Sequence, residues 1–137
     1  MPELWIRFDK TDAAIKGDDY VELMMLTGEP FDSLFVAHGQ KPLLDLFGST
    51  RQEHEILNEA MPAHMRRPWQ PSDSPWTEAT TGLAMCRNLR RAMDTRPEDF
   101  DLWPDMVAHV KEVLEPFERV LARAENRGAR FQTFSDF

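Results

Sequence analysis

The chain has 137 residues with 42% hydrophobic and 10% aromatic content, enough for one domain with a core of its own and too apolar for a disordered chain. Its formal net charge of −8 makes it a poor non-specific ligand for nucleic acid, because phosphates need neutralising bases. Cys86, the only cysteine, excludes an internal disulfide and any multi-cysteine zinc site.

No apolar run approaches the roughly 20 residues that cross a bilayer. The opening Met-Pro-Glu-Leu-Trp-Ile-Arg-Phe lacks the basic-then-apolar order of a signal peptide, so a cytoplasmic protein is expected. Charge is uneven: residues 1–50 carry −5, residues 51–97 carry +1 and residues 98–137 carry −4. Acidity of this kind steers a chain toward a basic partner.

In chain order, Leu4–Phe8 is β-prone and bounded by Pro2 and Asp9. Asp18 or Asp19 is placed to cap a helix carrying Tyr20, Val21, Leu23, Met24 and Leu26, with Gly28 as its stop. Asp32–His38 predicts another short helical turn before Gly39, and Pro42–Phe47 is too short to type by periodicity. Thr50 with Glu53 predicts a capping box, opening a helix with Ile56, Leu57 and Met61 on its apolar face.

Prolines at 62, 68, 71 and 75 then exclude a helix or central strand over 62–75. A loop of that length inside a compact domain is often functional, and this one carries Arg66, Arg67 and Trp69. Arginine and tryptophan are over-represented at binding hot spots, so these three residues are candidate partner contacts. The alternative is that Trp69 and Trp76 lie back on the core while the arginines pair with surface acids.

Ser74 followed by Pro75 predicts an N-cap and first helical position. Trp76, Ala79, Leu83, Cys86 and Met93 supply the apolar side of that helix, and Arg87, Arg90 and Arg91 its basic last turn. In the last helix Trp103, Val107, Val110, Leu114, Phe117, Leu121 and Ala124 step alternately by four and three. Pro116 should bend it, Glu115 and Arg119 should pair on its wet side, and Gly128 should end it. Arg130–Phe134 alternates and is expected to pair with Leu4–Phe8.

The predicted architecture is mainly α: one domain over residues 1–137 with two long C-terminal helices and a minimal β element joining the chain ends. The order of Leu-Thr-Gly (26–28), Pro-Leu-Leu-Asp-Leu-Phe-Gly (42–48) and the final helix resembles the uncharacterised bacterial YfbM-like family, which implies no mechanism.

The run Pro97–Asp105 gathers Glu98, Asp99, Asp101 and Asp105 around two aromatics and two prolines. These acids are candidate contacts for a basic partner. They equally suit the first turn of the last helix, where Arg87, Arg90 and Arg91 of the preceding helix would neutralise Glu98 and Asp99.

Asp105, His109 and Glu112 share a helical face, but that face is opposite the core stripe, and no His-Glu-x-x-His is present; no metal site or cofactor is expected. Cys86 sits on an apolar face, where a thiol is a small hydrophobe. Neither a nucleophile elbow nor a phosphate-binding glycine loop occurs. The expected function is a small acidic protein-interaction module, an inhibitor of the immunity or anti-defence type that blocks a basic surface. The competing expectation is a small enzyme or ligand-binding domain with a pocket between the last two helices. A homodimer closed by the wide apolar stripe is a third.

Overall fold

The computed structural model describes residues 4–10, 23–100 and 104–135. Among them are the strands β1 (Leu4–Phe8), β2 (Thr77–Glu78) and β3 (Arg130–Ser135). The α-helices are α1 (Phe31–Ala37), α2 (Arg51–Ala60), α3 (Ala79–Thr95) and α4 (Pro104–Asn126). The mainly helical architecture expected from the sequence is therefore present, with its two long helices in the C-terminal half. No helix is long and apolar enough to cross a membrane among the described residues.

The sheet has the order β1-β3-β2, both pairs antiparallel. The pairing of the chain ends follows the predicted parity, with Leu4 opposite Ser135 and Phe8 opposite Phe131. Opposed residues share a face. Leu4, Ile6, Phe8, Phe131 and Thr133 therefore face one side, and Trp5, Arg7, Gln132 and Phe134 the other. The first face belongs to the core, where Leu4 and Phe131 are buried and Ile6 and Phe8 pack against them.

The core lies between that face and the α3–α4 pair. In α4, Val110, Val113, Leu114, Phe117, Val120, Leu121 and Ala124 are buried, as the alternating spacing requires. Phe117 meets Phe131 edge to face at 6.3 Å between centroids. Gly82 lets α3 approach closely: a Cβ there would stand 2.8 Å from the Phe131 ring and 3.0 Å from Leu121 Cδ1. Pro116 lies inside α4 without ending it, since removal of one backbone bond is compatible with a helix whose buried face runs past it on both sides, at Val113, Leu114 and Phe117. Gly128, with φ 63°, ends the helix as expected, and the Ala129 amide donates back to Ala124 at 2.9 Å.

Three expectations change. The helix announced by Ser74-Pro75 begins at Ala79 instead, with Glu78 at its N-cap and no side-chain cap. The physical reason is competition: β3 takes the backbone of Thr77–Glu78, and the Ser74 hydroxyl accepts from Gln132 Nε2 at 3.1 Å. That helix also continues to Thr95, so its arginines do not form the last turn. Of the helix expected before Gly28, Asp18, Asp19, Tyr20 and Val21 lie outside the described residues; Leu23–Leu26 is a single 3-10 turn with Leu23 and Leu26 buried.

Candidate functional site

The proline-rich segment has no regular structure beyond the 3-10 turns Ala63–Met65 and Pro71–Asp73. Its backbone must find partners elsewhere. Side chains of α2 provide them. The Arg67 carbonyl accepts from His54 Nε2 at 2.8 Å and from Asn58 Nδ2 at 2.6 Å. A carbonyl can only accept, so His54 carries its proton on Nε2.

The segment's own side chains complete the fastening. Arg67 forms a bidentate pair with Asp73 at 2.9 and 2.6 Å, and Asp73 also accepts from the Gln70 amide at 2.8 Å. The hydrogen bonds from Arg67 hold the Asp73 carboxyl well below the usual carboxylate range, and those to Asp73 raise Arg67. Trp69 Nε1 donates to the Ser49 carbonyl at 2.9 Å while Arg51 covers its ring at 5.2 Å. Arg66 turns back to the end of α2, donating to the carbonyls of Met61 at 2.9 Å and Glu59 at 3.2 Å.

Beneath this segment lies a polar knot. Arg7 reaches Glu53 through two bonds of 2.9 and 2.7 Å, the Gly48 carbonyl at 3.0 Å and Gln132 Oε1 at 2.6 Å. The Phe134 ring lies under its guanidinium, 4.5 Å from centroid to carbon. Gln132, fully buried, spends its amide protons on Ser74 and on the Pro75 carbonyl. Glu53 closes the capping box predicted with Thr50. Its hydrogen bonds from Arg7 lower its pKa from the ordinary 4.5. Gly48 is required here, since a Cβ would collide with the Gln132 amide.

The result is a cleft of about 450 Å³ between α2 and the segment. Phe47, Leu57, Met61, Met65 and Pro75 supply apolar lining, with His54, Asn58, Arg67 and Asp73 among the polar groups. The expected apolar face of α2 is only partly covered: Leu57 is half-buried, but Ile56 is 53% exposed and Met61 40%, while His54 is the residue buried from this helix. Met65, at 54%, continues the exposed apolar set.

The sequence-predicted contacts are thus distributed over two places. Arg66, Arg67 and Trp69 come together here, each engaged within the chain, beside the exposed hydrophobes Met61 and Met65. In the sequence Met61 is marked by its place on the apolar face of α2, and Met65 only by its place within the proline-bounded segment. Glu98 is exposed, among the first residues of the 3-10 turn Pro97–Phe100. Asp101 lies outside the described residues, as do the side chains of Asp99 and Asp105. The expected neutralisation of Glu98 does not occur among the described residues: Arg90 bonds Glu118 at 3.1 Å, and no ion pair joins Glu98 to Arg87, Arg90 or Arg91.

His109 lies 3.9 Å from Glu112, and the described residues form no cluster of three or more metal-ligating side chains. Burial pushes the Cys86 thiol far up, leaving it an inert part of the core. A second cleft, of about 470 Å³, lies between α1 and α3. Neither cleft is between α3 and α4.

Comparison with protein-family models, with curated proteins and with solved structures finds no match. The likeness to the YfbM-like family rests on the short strings alone.

Proposed function

We propose that this chain is a protein-interaction module, an inhibitor that covers a basic surface of its partner and seats on it through the cleft beside α2. One observation carries this reading. The proline-rich segment is fastened by directional side-chain bonds, yet it and α2 leave Met61 and Met65 exposed at the cleft. Binding an ordered loop costs less entropy than binding one that must be ordered first. Methionine adapts its shape to an apolar contact, and a few such contacts dominate an interface. The net charge of −8 and the exposed Glu98 favour a basic partner through long-range attraction.

The test begins with a pull-down from the native host, followed by titration of the recovered partner. Met61→Glu with Met65→Glu should weaken binding by about tenfold or more while leaving the fold intact. Neutralising Glu98, Asp99, Asp101 and Asp105 together should slow association and flatten its salt dependence. Equal affinity for the methionine variant would remove the cleft from the interface. An unchanged salt dependence would remove the basic partner.

A further inference from the structure

We infer that the cleft between α1 and α3 binds a phosphate monoester carried on a small apolar group. The cleft shares no lining residue with the one beside α2. Its volume of about 470 Å³ falls in the range of small-molecule sites.

The lining divides by chemistry. Pro30, Leu34 and Ala92 supply apolar surface, with Leu34 and Ala92 packed onto the hydrophobic core. Arg91 and Arg96 bring two guanidinium groups from the end of α3, and His38 brings an imidazole from the end of α1. Asn88 adds an amide.

Among the described residues, neither Arg91 nor Arg96 has a carboxylate partner, although acids outnumber bases 24 to 16 in the chain. The nearby acids are turned to other cations: Glu118 to Arg90 and Asp94 to Lys111. Glu29, beside the cleft at Pro30, accepts the Ser33 hydroxyl. Two free guanidinium forks at the edge of an apolar cleft match the doubly charged head of a phosphate monoester, which offers three acceptor oxygens. The apolar surface between α1 and α3 then takes the group that the phosphate carries.

The probe is phenyl phosphate, titrated calorimetrically into the intact chain beside inorganic phosphate. Saturable binding of phenyl phosphate, about tenfold or more tighter than inorganic phosphate, is expected. Arg91→Gln and Arg96→Gln should each weaken it by about tenfold or more. Arg87→Gln, an exposed arginine of the same helix outside the cleft, should leave it unchanged. Circular dichroism would confirm that the variants fold. No saturation, inorganic phosphate binding as tightly, or an equal loss in Arg87→Gln would each overturn the assignment.

Discussion

The α3–α4 pair and the proline-rich segment are neighbours on β3, but they are held by different forces. Around the helices the core contacts are apolar, as where Phe117 of α4 meets Phe131 of β3, with the Arg90–Glu118 and Asp94–Lys111 pairs outside that core, and burial is the principal stabilising term. Over residues 61–75 the backbone is mostly irregular, and the segment is fastened to α2 and to itself chiefly by directional polar bonds. β3 divides the two, with Phe131 and Thr133 facing the helices and Gln132 and Phe134 facing Arg7. Apolar packing tolerates many sequences that keep volume and pattern, whereas the polar side depends on each donor meeting its acceptor. The polar side can therefore hold an irregular segment in one shape while leaving hydrophobes exposed.

The comparison breaks most easily on the helical side. Phe131→Ala removes the ring at the junction of α3, α4 and the sheet and should cost about 3–5 kcal/mol in urea unfolding. On the polar side Arg7→Met should cost about 2–3 kcal/mol, because Glu53, Gln132 and Gly48 all lose a donor at once. Adding Glu53→Leu to Arg7→Met should cost much less than the two single changes together predict, the sign of one shared network.

Acid provides a finer cut. Glu53 has its folded pKa below its unfolded value, so its contribution is present above about 4.5 and is lost as pH falls through the lowered folded value. Glu53→Gln should therefore destabilise by about 1.5 kcal/mol at pH 7. The gap between variant and wild type should close as the pH is taken well below 4.5. A gap independent of pH would mean that the carboxylate charge contributes nothing. The smallest effect is expected at the boundary itself. The buried Thr133 hydroxyl has no hydrogen-bond partner among the described residues, so Thr133→Val should stabilise by up to about 1 kcal/mol. A loss instead would show that the hydroxyl has a use.

Legibility in the sequence follows the same division. Apolar spacing revealed α4, parity revealed the β1–β3 pairing, and local chemistry revealed the Thr50–Glu53 box and the Gly128 stop. Each is a signal written within a few residues. The polar knot is not, since Arg7 and Gln132 are 125 positions apart and Arg7 and Glu53 are 46 apart. A start at Ser74 was locally sound and was displaced by that distant glutamine. The candidate site was legible as a place, the segment between Pro62 and Pro75, but not as a set of contacts. Arg67 and Trp69 are spent on Asp73 and Ser49; that an arginine here would pair with an acid was legible, but which acid, and the Ser49 carbonyl as partner of Trp69, were not.

The proposed binding site depends on the proline-rich segment being ordered before any partner arrives. Nitrogen-15 relaxation of the free protein measures this directly at the amides of residues 63–74. Order parameters near 0.85 there, close to those of α3, are predicted, with a fall in Arg67→Gln as the clasp to Asp73 opens. Values below about 0.6 in the wild-type chain would contradict the account.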